Sequence, residues 1–324
     1  MGNEIEIAKE NIPSGRSQVC EIPVSRLPTQ TVLSLPVTVV NGVESGPKLW
    51  LSAAIHGDEL NGVEIIRQVL EQVKPETLRG TLFAVPIVNV FGFIEQSRYL
   101  PDRRDLNRSF PGSETGSLAS RLANLFMREI VNQSTHGIDL HTAAIHRFNL
   151  PQIRANLSDR ETHDCAKAFG TSVIIHANIR DGSLRQAATK KGIPVLLYEA
   201  GEALRFDARA IAMGVRGVFR VMNHLGMCDL PTTELPTPPK EIQQSKWVRA
   251  SRGGIFHLAV NLGETVVKKQ TLGFITDAFG QSKYWVRATV DGIVISYTLN
   301  PLVNQGDAIV HLALTIAPKS ATAN

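Results

Sequence analysis

Four residues of the chain combine the types and positions needed for metal-assisted hydrolysis. His56 and Glu59 are separated by two residues, His141 lies further along the chain, and Glu199 follows later. Two imidazoles and one carboxylate, with a fourth position left open, are a typical ligand set of a catalytic zinc ion, which lowers the pKa of bound water to about 7. A separate carboxylate is then needed to accept the proton and deliver it to the leaving nitrogen, and Glu199 is the candidate for this general base.

Each of these residues also has a purely structural interpretation. His141 could be a histidine of the core, and Glu59 could be an acidic residue in the first turn of a helix, where the helix dipole favours negative charge. Glu202 lies three residues after Glu199 and competes with it as the base. The hydrolase interpretation is favoured because chance would have to place all four of the right residue types, in order, at the ends of predicted strands.

The hydrophobic pattern places these residues at the ends of predicted strands. An apolar run over 49–55 predicts a buried strand that leads into His56, Gly57 allows a tight turn, and a helix follows Glu59. Because the carboxyl ends of parallel strands meet at one edge of a sheet, residues distant in sequence converge there. Further strands are predicted at 81–89, 137–142, 172–177 and 193–201, and further helices at 117–131, 184–191 and 211–225.

The alternation of strands and helices from 49 to 225 predicts an α/β domain with a mostly parallel sheet and helices on both faces. Residues 1–17 are predicted to form a polar arm at the start of this domain, followed by strands at 19–23 and 31–40. We expect the catalytic domain to occupy residues 1–229.

A change in composition separates this domain from the remainder of the chain. Four prolines between 230 and 239 predict a stiff linker over residues 230–245. The following short β-rich runs alternate with glycine-containing turns, which predicts an all-β domain over residues 246–318. This domain is similar in pattern to the barrel-sandwich hybrid of biotinyl and lipoyl carrier domains.

Composition limits the class of protein. The chain has 324 residues, of which 43% are hydrophobic and 20% charged, and its net charge is +4, which suits small anionic ligands better than nucleic acid. Cys20, Cys165 and Cys228 are far apart and form no CxxC pair, which predicts reduced thiols in a cytoplasmic protein. The sequence contains no apolar run long enough for a membrane span, so we expect no membrane partner. A homo-oligomer is compatible with the sequence.

The motifs around the candidate residues resemble those of the succinylglutamate desuccinylase/aspartoacylase family, a branch of the zinc carboxypeptidase superfamily. The matching segments are His56-Gly57-Asp58-Glu59, Asp105-Leu106-Asn107-Arg108, Asp139-Leu140-His141 and Glu199-Ala200-Gly201. The resemblance implies a zinc-carboxypeptidase-like α/β fold followed by a β domain. It also implies zinc at His56, Glu59 and His141, with Glu199 as the general base.

The resemblance also implies roles for three residues in the segment that begins at Asp105. Asn107 and Arg108 would hold the carboxylate of the substrate, and guanidinium groups suit this role because they offer a bidentate fork of donors. Asp105 would accept the free imidazole N–H of His56.

The resemblance also implies an arginine upstream that polarises the scissile carbonyl. This arginine could be Arg98, Arg103 or Arg104, because the segment over 101–104 is longer than in aspartoacylase-like chains. We favour Arg98. Arg103 and Arg104 could instead form a solvated patch or contact nucleic acid.

Together these features predict a zinc-dependent hydrolase that cleaves the amide bond of an N-acylated amino acid or a related small amine. A zinc carboxypeptidase acting on peptides is one alternative, and a non-catalytic binding protein on the same fold is another. The presence of Glu199 argues against the binding protein, because a protein without turnover does not need a general base. The sequence specifies neither the acyl group nor the amine.

Overall fold

The computed structural model describes residues 4–177, 181–229 and 238–315. The chain divides into two compact units, of which the first comprises Met1–Ile145 and Pro151–Lys240 and the second comprises His146–Leu150 and Glu241–Asn324. Residues 230–237 of the predicted linker and 316–318 of the predicted β domain lie outside the described residues.

The first unit begins with five strands, after which strands and helices are mixed. Its strands are β1 (Ile5–Ile7), β2 (Glu10–Ile12), β3 (Arg16–Arg26), β4 (Val32–Asn41), β5 (Glu44–Ala53), β6 (Arg79–Val85), β7 (His136–Ala143), β8 (Arg147–Ala155, which begins in the second unit), β9 (Val173–His176) and β10 (Val195–Glu202). Its helices are α1 (Asn61–Leu70), α2 (Val90–Ile94), α3 (Leu118–Glu129), α4 (Arg160–Phe169), α5 (Leu184–Thr189) and α6 (Ala208–His224).

The sheet of the first unit has the strand order β8-β10-β7-β5-β6-β4-β3, with β9 beside β8. The pairs β5–β6, β5–β7, β7–β10 and β8–β9 are parallel, whereas β3–β4 and β4–β6 are antiparallel. The predicted mostly parallel sheet is confirmed, and the parallel pairs β5–β7 and β7–β10 bring the strands that lead to the candidate residues side by side.

Side chains of the sheet alternate between two hydrophobic cores on its opposite faces. Leu49 and Leu51 of β5 belong to a core that includes residues of α1, α4 and α6, whereas Trp50 belongs to a core that includes residues of α3 and α5. Successive residues of a strand point to opposite faces, so helices on both sides are needed to bury such a strand. The predicted helices on both faces are confirmed.

The prediction of a polar arm over residues 1–17 is wrong for the part that the structure describes. β1 and β2 form an antiparallel hairpin, and Ile5, Ile7 and Ile12 are buried in the core on the α3 face of the sheet. Each strand has three residues. In runs this short, the alternation of apolar and polar residues that marks a strand cannot be distinguished from the sequence of a polar loop.

Besides β1 and β2, three elements of the first unit, α2, β8 and α4, were not predicted. β8 contains Pro151 and the polar residues Gln152 and Arg154, which obscure the pattern of a strand. α4 begins after Asp159, whose side chain accepts a hydrogen bond from the Thr162 N–H, and ends at Gly170 with a φ of 87°. Its capping residues were the available signal.

The second unit consists of two antiparallel sheets. One contains β12-β19-β17 with β14 on β17, and the other has the order β16-β15-β13-β18. Val248, Phe256, Ile275 and Leu312 contribute to its own core. The strands of this part of the chain are β11 (Lys240–Ile242), β12 (Ser245–Arg249), β13 (Gly254–Leu258), β14 (Thr265–Val266), β15 (Thr271–Thr276), β16 (Lys283–Arg287), β17 (Gly292–Thr298), β18 (Leu302–Val303) and β19 (Ala308–Leu314).

None of the helices within the described ranges is both long and apolar enough to cross a membrane. Cys20, Cys165 and Cys228 are buried, and none of them forms a disulfide within the described part of the chain.

Candidate metal centre and active site

The segment between β5 and α1 carries two of the candidate residues. His56 and Glu59 follow the end of β5, and the Glu59 N–H donates to the His56 carbonyl, which closes a turn. A Cβ atom on Gly57 would lie 1.9 Å from the backbone carbon of Gly92. Glycine is therefore required here because another segment of backbone packs against it, in addition to the turn that the sequence predicts.

Strands β7 and β10 supply the other two candidate residues. Glu199 of β10 is the register partner of His141 of β7. Leu140 and Tyr198, their immediate neighbours in sequence, point into the core of α1, α4 and α6. Because side chains alternate along a strand, His141 and Glu199 lie side by side on the opposite face of the sheet.

His56, Glu59 and His141 form one compact, buried cluster. The Glu59 carboxylate lies between the two imidazoles, with Oε1 2.6 Å from His56 Nδ1 and Oε2 2.8 Å from His141 Nδ1. A ligand atom from each of the three residues lies within 4.8 Å of the other two. The structure thus brings together the three residues that the sequence predicts as metal ligands.

A second carboxylate faces the far nitrogen of each imidazole. Asp105 Oδ1 lies 3.3 Å from His56 Nε2, and Asp139 Oδ2 lies 2.8 Å from His141 Nε2. Asp139 Oδ1 also accepts a hydrogen bond of 2.8 Å from Ser52 Oγ. A carboxylate at the far nitrogen of each ring favours an N–H there, so that Nδ1 is the nitrogen that could give its lone pair to a bound cation.

Sequence reasoning did not assign a role to Asp139 or Ser52. Asp139 lies two residues before His141 on β7, and residues at that spacing share one face of a strand. Ser52 is the register partner of Asp139 on β5. The spacing of Asp139 was therefore a usable signal, whereas the contribution of Ser52 depends on the pairing of two strands.

The charged residues of the cluster shift one another's pKa values. Burial by itself would lower the pKa of His56, but the charges of Glu59 and Asp105 outweigh burial and raise it. Burial would likewise lower the pKa of His141, but Asp139 and Glu59 raise it well above its ordinary value. Burial would raise the pKa of Glu59, yet the two imidazoles hold it below its usual range. A negative field of buried carboxylates around two imidazoles favours a bound cation.

The residues fit a zinc ion by the chemistry of their donor atoms. Zinc in proteins takes imidazole nitrogen and carboxylate oxygen ligands, and catalytic sites use three protein ligands. Here two Nδ1 atoms and one carboxylate converge, and each imidazole is oriented by a further carboxylate. The cluster is thus capable of binding a metal.

Of the three candidate arginines, Arg98 is the one that lies at the cluster. Its guanidinium is 2.9 Å from Asp105 Oδ2 and 3.6 Å from Glu59 Oε1. Arg103 and Arg104 are exposed, and Arg104 lies 3.7 Å from Asp102. The geometry is compatible with the preference for Arg98.

Asp105 begins a short 3₁₀ turn over Leu106–Arg108 and accepts a hydrogen bond from the Asn107 N–H. Asn107 is buried, and its Oδ1 accepts a hydrogen bond of 3.0 Å from the Leu184 N–H at the start of α5, which leaves Nδ2 as the donor that can reach a ligand. Arg108 is exposed, and its guanidinium donates to the Asn107 carbonyl.

Glu199 and Glu202 have different environments on β10. Burial raises the pKa of Glu199, and the nearby charges of Arg154 and His141 oppose this increase. Glu202 lies 3.2 Å from the guanidinium of Arg205 and is the register partner of Ala143. Glu199 is therefore the glutamate that lies beside the cluster.

Asp139→Asn is expected to weaken metal binding by about 10–100-fold, because the loss of a carboxylate behind a ligating histidine typically has this effect. The side chain keeps its shape but no longer stabilises the N–H on His141 Nε2. Zinc affinity measured by competition with a chromogenic chelator checks this result.

Asp159→Asn is the matched control for that measurement, since Asp159 caps α4 and has no contact with the cluster among the described residues. Equal zinc affinity of the Asp139 variant and the unmodified protein would contradict the role of Asp139.

Comparisons with known proteins agree with this geometry. The model of the succinylglutamate desuccinylase/aspartoacylase catalytic domain matches residues 45–225, which is more than half of the chain. An N-alpha-acetyl-L-2,4-diaminobutyric acid deacetylase of Halomonas elongata is 27% identical over 293 residues, which cover 86% of this chain and 85% of that protein. A succinylglutamate desuccinylase of Pseudomonas aeruginosa is 32% identical over 123 residues, which cover 34% of this chain and 35% of that protein.

Solved structures extend the similarity to nearly the whole chain. A succinylglutamate desuccinylase/aspartoacylase from Rhodobacter sphaeroides superposes with a TM-score of 0.84 at 26% identity and covers 96% of this chain and 99% of its own. The product-bound ectoine utilization protein EutE (DoeB) from Ruegeria pomeroyi gives a TM-score of 0.84 at 24% identity, with 94% and 98% of the chains covered, and supports the fold. The match of the catalytic domain, together with the cluster of His56, Glu59 and His141, leads to one conclusion: this chain belongs to the succinylglutamate desuccinylase/aspartoacylase family.

Proposed function

We propose that the protein is a zinc-dependent deacylase that hydrolyses the amide bond of a small N-acylated amino acid. The observation that carries this proposal is the buried cluster of His56, Glu59 and His141 with Glu199 beside it on the same face of the sheet. The names of its relatives support the same reaction, since one is a deacetylase and another a desuccinylase.

His56, Glu59 and His141 would hold the zinc ion, which when bound supplies Lewis acidity and lowers the pKa of water. Asp105 and Asp139 would keep the two imidazoles in the tautomer that presents Nδ1. The family relation and the donor set support this assignment, and elemental analysis of the purified protein tests it.

Glu199 is proposed as the general base. Its ionised carboxylate would accept a proton from the attacking water and return it to the nitrogen of the leaving amine. Its position beside His141 supports this role, whereas Glu202 lies close to the guanidinium of Arg205.

Arg98 is proposed as the residue that stabilises the developing oxyanion. The guanidinium N–H groups would donate to the carbonyl oxygen as it gains negative charge, a contribution that a preorganised donor makes most effectively where water is excluded. Asp105 supports this assignment, because it holds Arg98 close to the cluster with a contact of 2.9 Å.

Asn107 and Arg108 are proposed to bind the carboxylate of the substrate. Arg108 is exposed and donates to a backbone carbonyl, and no carboxylate among the described residues forms an ion pair with it. The buried Asn107 would add one donor beside it. The substrate in this proposal is consequently an N-acyl amino acid with a free carboxylate.

Arg108→Ala is expected to lower kcat/KM for carboxylate substrates by about 30-fold or more, because the bound substrate would cover the guanidinium and truncating one partner of a charged pair covered in this way costs about 2–5 kcal/mol. The matching carboxamides never form this pair and should be affected far less. Rates for an N-acetyl amino acid and its carboxamide, measured on both proteins, give the comparison.

Arg104→Ala is the control, since Arg104 is an exposed arginine of the same loop. An equal loss on both kinds of substrate would mean that Arg108 has a structural role and that the carboxylate is read elsewhere.

The reaction itself is tested by assaying the zinc-loaded protein against a panel of N-acetyl and N-succinyl amino acids and a panel of short peptides. Release of free amino acid from the first panel and not the second supports the deacylase. Hydrolysis of peptides alone would favour the carboxypeptidase alternative. Binding without turnover on either panel would favour a binding protein.

A further inference from the structure

Asn61 is a buried asparagine that joins three segments of the first unit. It is the first residue of α1, lies two positions after Glu59, and is only 1% exposed. Its Nδ2 donates a hydrogen bond of 3.2 Å to the Ala200 carbonyl, and its Oδ1 accepts one of 3.0 Å from the Asp207 N–H. A carboxamide offers a donor and an acceptor at the same tip, and here both are used.

The Ala200 carbonyl belongs to an irregular part of β10. Glu199 is the register partner of His141 and Glu202 that of Ala143, so β10 contains one residue more than β7 over this stretch. An extra residue of this kind interrupts the ladder of hydrogen bonds, bends the strand and changes the direction of a neighbouring side chain, and it is frequent beside active sites. The backbone that directly follows Glu199 is thus bonded to Asn61 of α1.

Gly201, the other residue between Glu199 and Glu202, packs against the same asparagine. Its φ is 74°, and a Cβ atom on it would lie 2.6 Å from Asn61 Nδ2. Glycine adopts this backbone conformation without strain and leaves room for the close approach of the carboxamide. We call Ala200 and Gly201 the β10 bulge, and Asn61 is in direct contact with both of its residues.

A second connection joins the chain after the β10 bulge to the segment of the candidate metal ligands. The Leu204 N–H donates a hydrogen bond of 2.8 Å to the carbonyl of Asp58, which lies between His56 and Glu59 in sequence. The backbone around Glu199 is therefore attached to this segment twice, through Leu204 and through Asn61. Both attachments lie within the first unit.

We propose that Asn61 is a positioning residue that holds the β10 bulge and thereby fixes the Glu199 carboxylate relative to the proposed metal ligands. This inference rests on the proposed function, in which Glu199 is the general base. A base must lie within hydrogen-bond distance of the water whose proton it accepts. Because a displacement of about 1 Å can lower a rate by about 100-fold, a residue that acts only through the backbone next to the base can control kcat.

Asn61→Ala and Asn61→Leu remove both hydrogen bonds, and the leucine nearly keeps the volume of the side chain. On the best substrate of the N-acyl panel, both variants should lower kcat by about 10–100-fold, with KM and zinc content nearly unchanged. Loss of zinc from folded variants would overturn the inference, because Asn61 would then act on the metal site.

Asn41→Ala is the matched control. Asn41 is also a buried asparagine of the first unit, and its Nδ2 donates to the Ile12 carbonyl while its Oδ1 accepts from Thr81 Oγ1, at 3.0 and 3.1 Å. This variant should lose thermal stability as the Asn61 variants do, but it should keep its kcat. An equal fall of kcat in the Asn41 and Asn61 variants would assign the effect to stability and overturn the inference.

A double-mutant cycle tests whether Asn61 acts through Glu199. Asn61→Ala should lower kcat strongly in the unmodified protein but hardly at all in the Glu199→Gln protein, in which the base is already lost. An equal fold-loss in both backgrounds would overturn the inference, since a merely structural asparagine affects both proteins alike.

Hydrogen exchange of peptides covering residues 199–206 gives a readout without turnover. Exchange in this segment should be faster in Asn61→Leu and unchanged in Asn41→Ala. Faster exchange together with a fully active Glu199→Gln protein would support the contact of Asn61 with the β10 bulge and reject Glu199 as the base. Unchanged exchange together with an inactive Glu199→Gln protein would overturn the role of Asn61 and leave the proposed base in place.

Discussion

Glu199→Gln is expected to lower kcat by a factor on the order of 10²–10⁴, the usual contribution of general acid–base catalysis, while zinc content and fold are retained. The amide of glutamine has nearly the size of the carboxylate but cannot accept a proton from water. The substrate should still bind, because the proposed carboxylate ligands are Asn107 and Arg108. KM is therefore expected to change much less than kcat.

Steady-state rates on the best substrate of the N-acyl panel, together with zinc analysis of the same samples, measure this effect. Glu202→Gln is the matched control, because Glu202 is a buried glutamate on the same strand with an arginine at 3.2 Å. It should retain most of the activity and lose at most some stability. A fully active Glu199 variant beside an inactive Glu202 variant would reverse the assignment of the base.

His141→Ala is expected to abolish zinc binding and activity together. The substitution removes one of three ligands and also leaves the Asp139 carboxylate, which is almost completely buried, without the imidazole that it contacts. Removing one partner of a buried charged pair is destabilising by about 3–5 kcal/mol, so a fall in thermal stability should accompany the loss of metal. Elemental analysis and a thermal melt on the same preparation test both parts.

His136→Ala is the control that distinguishes the loss of a metal ligand from the loss of a histidine that is only buried and paired. His136 also lies on β7, is buried, and has Glu161 Oε1 2.8 Å from its Nε2, yet it is outside the cluster. This variant should keep one zinc ion per chain and its activity. Full zinc occupancy in the His141 variant would remove His141 from the ligand set and with it the basis of the proposed metal centre.

The residue types at the cluster were predictable from sequence because each one stands at the end of a recognisable apolar run. His56 follows a buried strand, and His141 and Glu199 lie near the ends of two others. Parallel strands place such ends at one edge of a sheet, so convergence follows from the pattern without any coordinates. The motif around Asp105 could be placed by family resemblance, since no regular periodicity marks this loop.

Other features depend on contacts between segments that are distant in sequence. The choice of Arg98 over Arg103 and Arg104 rests on which guanidinium reaches Asp105 and Glu59. The sequence of a loop without periodicity does not indicate in which direction each side chain points. Glycine at position 57 is required by the backbone at Gly92, thirty-five positions further along the chain.

The sequence by itself determined the fold class, and it predicted the three residues proposed as metal ligands and the two glutamates that compete as the base, because strand ends and ligand types can be read locally. The tertiary structure alone decided which polar residues share the face of the sheet with that triad. Asp139 could have been found from its spacing to His141, but Ser52 required the β5–β7 register. The physical reason is that an ionic interaction depends on distance in space, and neighbouring strands of a sheet are set by the topology of the whole chain rather than by any local pattern.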